Sequence, residues 1–257
     1  MSEKTVTPKK KVKTILVSQP EPTSENSPYI ALAQNEKVKI DFRPFIYVEG
    51  ATAKDIRKQK INLSEFDAII FTSRNAVDHF FRLAEEMRYQ VPNTMRYYCQ
   101  SEAIALYLQR YIVYRKRRIS YGNKTVKDLA NIIKKNPEGR FLLPSSDKLK
   151  PELPKALNEL KINWKPATFF RTKISDLSDL KDVYYDILVF YSPSGIHSLF
   201  HNFPDFEQND TRIAVYGKST LKVAKEKGLR IDIMAPTPET PSMTMALQKY
   251  IREANKK

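Results

Sequence analysis

Residues 66–81 read FDAIIFTSRNAVDHFF, and residues 185–200 read YDILVFYSPSGIHSLF. Each segment opens on an aromatic residue and an aspartate and runs through four apolar residues. Each then turns through hydroxyl-bearing residues, at Thr72-Ser73 and at Ser192-Pro193-Ser194-Gly195. In the first, Val77, Phe80, Phe81 and Ala84 follow at helical spacing. A short apolar run bounded by turn residues reads as a buried strand, and the spacing after it reads as a helix. The two segments align at an offset of 119, and YYCQSEAIALYL at 97–108 aligns with IAVYGKSTLKVA at 213–224 at an offset of 116. The chain therefore carries an internal duplication. Strands alternating with helices imply α/β units with parallel sheets, and two copies imply two similar lobes.

The rest of the chain fits this frame. Residues 12–17 are apolar and β-branched, a strand. Residues 18–28 hold three prolines and form a loop, and 29–36 form a short helix. Residues 38–49 contain Pro44, which confines them to an edge or connecting strand. A strand is expected at 95–99, with a helix from Ser101 through Tyr111, after which residues 112–114 lead into a basic run. Thr125 caps a helix over 125–135, with Asp128 in its first turn. A strand at 140–144, a helix at 151–160 and an extended segment at 167–174 follow. In the second copy come a strand at 212–216, a helix ending at Lys227 before Gly228, and a strand at 231–234. A Pro-Thr-Pro turn then leads into a closing helix that runs to Ile251.

Composition bounds the function. The 257 residues are 41% hydrophobic and carry 44 basic against 29 acidic side chains, a net charge of +15. That balance favours an anionic partner. Seven basic residues and no acid lie over 110–127: Arg110, Arg115, Lys116, Arg117, Arg118, Lys124 and Lys127. The lone cysteine, Cys99, excludes an intrachain disulfide and a cysteine-based zinc site, which suits a reducing compartment. No stretch approaches the roughly 20 apolar residues of a membrane span, and the basic N-terminus lacks the apolar core of a secretory signal. A cytoplasmic location is expected.

Several chemistries are excluded. Gly217-Lys218-Ser219-Thr220 resembles the end of a phosphate-binding loop, but the position that needs the leading glycine is Arg212. Six glycines in all leave no dinucleotide fingerprint. His197 and His201 stand four apart on a helix without a third ligand nearby. Cys99 reads as a buried thiol, and no Ser-His-Asp context exists. What remains is a set of hydroxyl turns between strand ends and helix starts, where unpaired N–H groups and the helix dipole favour anions. Taken singly each reads as an N-cap; taken as a set, with surplus positive charge, they read as anion-facing.

Four motifs, in order, resemble the bacterial type of the uroporphyrinogen-III synthase family. They are Phe71-Thr72-Ser73-Arg74-Asn75-Ala76-Val77, Phe190-Tyr191-Ser192-Pro193-Ser194-Gly195, Ala214-Val215-Tyr216-Gly217-Lys218-Ser219-Thr220 followed by Gly228, and Ala235-Pro236-Thr237-Pro238. The resemblance spans nearly everything except the tails. It implies an α/β fold of two similar flavodoxin-like lobes with parallel sheets, joined by a two-stranded linker. Here that gives a flexible basic tail at 1–11, a discontinuous first lobe at 12–39 and 175–251, linker strands at 40–48 and 167–174, and a second lobe at 49–166. Two positions depart from the family pattern. Gln19 stands where an arginine is usual after the first strand. Phe170 stands where the second linker strand usually carries a tyrosine, and a phenyl ring donates no proton.

The activity this resemblance implies is closure of hydroxymethylbilane to uroporphyrinogen III, with loss of water and inversion of ring D. The implied substrate is a small-molecule polycarboxylate tetrapyrrole held in an interlobe cleft. No cofactor or metal is called for, no membrane or nucleic acid is expected, and the chain is expected to act as a monomer. Positioning can favour the inverted product without a strong base. Substrate contacts are expected from Thr72, Ser73, Arg74, Ser101, Arg171, Ser192, Ser194, Gly195, Lys218, Ser219, Thr220 and Thr237; no discrete catalyst is assigned. Two other readings stand beside this one. One is a non-catalytic two-lobed protein that binds an anionic ligand. The other is a nucleic-acid-binding protein using the basic run at 110–127.

Overall fold

In the computed structural model, which describes residues 10–256, the two copies of the strand–turn–helix segment stand in two separate sheets. The chain opens with β1 (Thr14–Val17), α1 (Pro28–Glu36), β2 (Lys39–Phe42), β3 (Ile46–Gly50) and α2 (Ala53–Lys58). It continues with β4 (Ala68–Phe71), α3 (Arg74–Glu86), β5 (Arg96–Cys99), α4 (Glu102–Tyr107), β6 (Ile119–Tyr121), α5 (Val126–Lys134), β7 (Phe141–Ser146), α6 (Glu152–Glu159) and β8 (Trp164–Ile174). It closes with β9 (Ile187–Phe190), α7 (Pro193–Asn202), β10 (Arg212–Tyr216), α8 (Lys218–Glu226), β11 (Ile231–Ala235) and α9 (Met243–Asn255). Two compact units result. One comprises the residues up to Tyr47 together with those from Lys173 onward, and the other is Val48–Thr172.

The first unit holds a five-stranded sheet in the order β11-β10-β9-β1-β2, with every neighbouring pair parallel. The second holds a six-stranded sheet in the order β3-β8-β7-β4-β5-β6, parallel from β8 to β6. Helices cover both faces of a parallel sheet, so its central strands are buried on both sides and read as unbroken apolar runs. β4 and β9 behave this way along their whole length. Their side chains alternate between two cores. Ile69 and Phe71 pack with Phe80 and Leu83 on one face, while Ala68 and Ile70 pack with Leu129 and Phe141 on the other. In β9, Ile187 and Val189 face Leu247 and Ile251, while Leu188 and Phe190 face Ile196 and Leu199. This period of two is the strand geometry itself.

The elements differ from expectation in four places. Residues 40–48 are not one linker strand. They divide at Pro44, which has no N–H to give a ladder, into β2 and β3. β2 is the edge of the first sheet, in register with β1 from Thr14 opposite Lys39. The second linker segment is the far half of an 11-residue strand, β8, which pairs with β7 from Trp164 to Phe170. The helix expected through Tyr111 ends at Tyr107 and tightens into a 3-10 turn over Leu108–Arg110. Residues 112–118 are then irregular, and β6 follows them. Tertiary bonds set that end: Asp78 on α3 accepts from the Tyr107 and Tyr111 hydroxyls at 3.2 and 2.6 Å, and Tyr111 stacks on Phe81. α2 was not expected, although its capping box, Thr52 with Asp55, is written in the sequence. Residues 1–9 of the expected tail lie outside the described residues.

Candidate active site at the carboxyl edges of the sheets

In each sheet the parallel strands end along one edge, so the following helices all start there. Within the second unit, β4 leads through Thr72-Ser73 into α3, and β5 leads through Gln100-Ser101 into α4. Within the first, β9 leads through Tyr191-Ser192 into α7, β10 through Gly217 into α8, and β11 through residues 236–241 into α9. Hydroxyl-bearing residues stand in or beside each of these turns. The structure gives those hydroxyls different jobs.

Ser73 and Ser192 are N-caps. Ser73 Oγ accepts from the Ala76 N–H at 3.1 Å, and Ser192 Oγ accepts from the Gly195 N–H at 3.3 Å. Each hydroxyl keeps its own hydrogen to donate, so a capping serine can still meet a carboxylate. Thr237 is held in a local turn: its Oγ1 accepts from the Thr240 N–H at 3.0 Å and pairs with Thr240 Oγ1 at 2.7 Å. Ser101 begins α4 without a side-chain capping bond. Thr72 and Ser194 are half-buried, and Gly195 is buried against Phe190 and Ser18.

The start of α8 is distinct. Its N-cap is Gly217 at φ +83, a conformation L side chains rarely adopt, and no side chain caps the helix. Lys218 and Ser219 are exposed there. Thr220 is only 1% exposed, and among the described residues its Oγ1 has no hydrogen-bond partner. An orphaned buried hydroxyl costs about 1–3 kcal/mol.

The expected cations separate likewise. The Arg74 guanidinium lies 5.2 Å from the Tyr107 ring centre. Arg171, in β8, is half-buried with Asp55 in electrostatic reach. Phe170 is buried and stacks on His79 at 5.2 Å, and among the described residues His79 Nδ1 has no partner. Burial, and then the Arg82 charge, hold the His79 pKa below its ordinary value. Cys99 is fully buried at the end of β5, and burial pushes its thiol up to about 12. It is therefore no nucleophile near neutral pH.

The middle of the basic run lies elsewhere, while Lys124 stays at the carboxyl edge, where its N–H donates to the Gln100 carbonyl. Arg118 immediately precedes β6, and its carbonyl accepts from the Tyr97 N–H near the start of β5, at the amino edge of that sheet. Arg115, Lys116, Arg117 and Arg118 line a concavity of about 640 Å³ there. The neighbouring rings are engaged: Tyr111 with Phe81 and Asp78, Tyr107 with Arg74 and Arg110, Tyr121 with Glu102. Base stacking needs free ring faces, and the Phe81 and arginine contacts take up part of those of Tyr111 and Tyr107. An apolar cavity of about 560 Å³ in the first unit, lined by Phe45, Phe203 and Phe206, reaches Tyr185 ahead of β9, away from the hydroxyl turns.

Sequence reasoning missed one feature of this edge. Phe42 ends β2, Tyr29 opens α1 after β1, Tyr191 follows β9 and Tyr216 ends β10. They form a row: Tyr29 meets Phe42 edge-on at 5.4 Å, Tyr191 lies 5.4 Å from Tyr216, and the Tyr29 and Tyr191 hydroxyls are 2.7 Å apart. The one available signal was Tyr191, which stands inside the duplicated turn opposite Thr72 in the other copy.

Comparison with known proteins agrees with this architecture. Residues 27–245 match the family described as uroporphyrinogen-III synthase HemD. The uroporphyrinogen-III synthetase structure from Helicobacter pylori superposes with a TM-score of 0.61 at 18% identity, covering 93% of this chain and 99% of that one. A mutant uroporphyrinogen III synthase from Thermus thermophilus gives 0.57 at 17%, covering 96% and 100%. At such identities the structures attest the fold. No curated protein sequence matches the chain. The family match covers most of its length: the chain belongs to the uroporphyrinogen-III synthase family and has that family's cyclising lyase activity in tetrapyrrole biosynthesis.

Proposed function

We propose that the chain closes hydroxymethylbilane by holding its carboxylates at the hydroxyl turns, with no strong acid or base among them. The substrate carries acetate and propionate groups on every ring. Candidate contacts are Thr72, Ser73, Arg74 and Ser101 on one unit, and Ser192, Ser194, Gly195, Lys218, Ser219, Thr220 and Thr237 on the other, with Arg171 contributing charge. The observation that carries this reading is the start of α8. An uncapped helix N-terminus, two exposed polar side chains and an orphaned threonine hydroxyl suit a carboxylate.

The chemistry asks for placement. The hydroxymethyl group leaves as water and gives a reactive azafulvene. Attack by the free carbon of ring D gives the symmetric type I macrocycle. Attack by the substituted carbon gives a spiro intermediate, which fragments and recloses with ring D inverted. Holding the chain so that the substituted carbon is nearer selects the second course. No electron is gained or lost, so the reading needs no redox cofactor. We place the reaction in the cytoplasm, since a lone buried thiol suits a reducing compartment. We also assign it to a monomer, since one chain carries both sets of turns.

The test is a turnover assay with hydroxymethylbilane generated in situ and the oxidised products separated by chromatography. A dominant type III isomer is expected. Type I alone, matching the protein-free control with folded protein, would overturn the reading and favour a non-catalytic binder.

A further inference from the structure

The Tyr29 and Tyr191 hydroxyls are 162 residues apart in sequence and 2.7 Å apart in the fold. Each has no other hydrogen-bond partner among the described residues. Both rings are half-buried within the row that runs from Phe42 to Tyr216. Burial raises both phenols above their ordinary range, so both stay protonated near neutral pH. Two phenolic hydrogens then serve one internal bond, and one hydrogen is left over. Tyr191 is the member that lies in the strand-to-helix turn, directly before the capping Ser192. If Tyr29 donates to Tyr191, the free hydrogen belongs to the turn residue. The incoming bond also draws charge from its oxygen and makes it a better donor.

We propose that Tyr191 is a catalytic residue that protonates the departing hydroxyl of the substrate, and that Tyr29 is a positioning residue acting through it. This rests on the synthase reading above and adds to it a proton source for the elimination. In the step, the Tyr191 hydrogen passes to the hydroxyl oxygen as the carbon–oxygen bond breaks. The bonding pair leaves with the oxygen as water, and the pyrrole nitrogen lone pair fills the vacated carbon. The phenolate regains its proton when ring closure restores aromaticity and the free carbon of ring D loses its hydrogen. Proton donation of this kind is worth about 100-fold or more in rate.

The experiment uses Tyr191→Phe and Tyr29→Phe in the full chain, with melting temperatures checked. Two substrates are compared: hydroxymethylbilane and a bilane bearing acetoxymethyl, a leaving group that departs without a proton. With hydroxymethylbilane, Y191F is expected to lower kcat about 100-fold at nearly constant KM. Y29F should lower it to an intermediate value, and the type I share should rise as the unassisted reaction competes. With the acetoxymethyl substrate both variants should approach wild-type turnover. A wild-type kcat for Y191F, or an equal loss on both substrates, would overturn the proposal. A wild-type protein that yields only type I would remove the reaction itself, a result visible before any variant is made.

Discussion

Asp67 and Asp186 pin the foot of a neighbouring strand in the same way in the two units. Each follows the aromatic residue that opens its copy of the duplicated segment. Asp67 Oδ2 accepts from the Arg140 N–H at 2.8 Å, just before β7. Asp186 Oδ2 accepts from the Lys13 and Thr14 N–H groups at 2.8 and 2.9 Å, at the start of β1. Their carbonyls accept from the N–H groups of Arg96 and Arg212, which correspond at the offset of 116. The duplication thus survives as a physical device. A carboxylate that follows a loop ties down strand ends whose N–H groups would otherwise be unpaired.

The two devices should not be equal in stability. Arg212 is 5% exposed, with Nη1 3.8 Å from Asp186 and, among the described residues, no hydrogen bond of its own on that nitrogen. Asp186→Ala takes the paired carboxylate from a buried guanidinium that keeps only the Lys10 carbonyl bond and the more distant Asp210 charge, and is expected to cost about 3 kcal/mol. Asp67→Ala loses a charge-assisted hydrogen bond and is expected to cost about 1.5 kcal/mol. Urea unfolding of both variants checks the order.

Capping can be told from ligand binding by stability. Ser73→Ala and Ser192→Ala each remove a hydrogen bond to a helix N–H and are expected to cost about 1 kcal/mol. Ser101→Ala removes no capping bond, so its midpoint should stay near wild type. If Ser101→Ala lowers turnover without lowering stability, its hydroxyl serves the substrate.

Thr220 gives the opposite signature. Its hydroxyl is buried and unpartnered, so Thr220→Val keeps the shape and removes an unsatisfied group. The melting temperature is expected to hold or rise while turnover falls about tenfold, the loss of one hydrogen bond of about 1.4 kcal/mol to the reacting complex. Thermal melts paired with the isomer assay decide it.

Cys99 sets an alkaline limit. Burial favours the neutral thiol, so its folded pKa, about 12, lies above the ordinary value of 9.0. Above the ordinary value the unfolded chain loses this proton and the folded chain keeps it. Stability from this group is therefore complete below pH 9 and is lost as pH rises from there toward 12. Cys99→Ala should flatten that slope in urea titrations at stepped pH. The native thiol should also resist labelling reagents until the chain unfolds.

Neutralising Arg115, Lys116, Arg117 and Arg118 to glutamine should leave type III formation within about twofold of wild type. They stand at the amino edge of their sheet, and salt screens charges over about 8 Å. A collapse of turnover would return the run to the substrate.

The sequence by itself determined the elements that rest on local periodicity. The runs at β4 and β9, the helices after them and the Thr125 cap of α5 are written in side-chain order, because burial and capping act over a few residues. The duplicated turns, and with them the carboxyl edges, were legible for the same reason. Boundaries fixed by distant partners were not. The end of α4 depends on Asp78 in α3, and the place of residues 40–48 depends on β1. Nor does a sequence say whether a serine at a turn is spent on its own helix, as Ser192 is, or left uncommitted, as Ser101 is. The Tyr29–Tyr191 pair is the clearest case. It exists because β1 and β9 are neighbours in a parallel sheet, an order set by crossover connections and shared cores. Tyr191's place in the duplicated turn marks the position, but neither tyrosine's local sequence names the other as its partner.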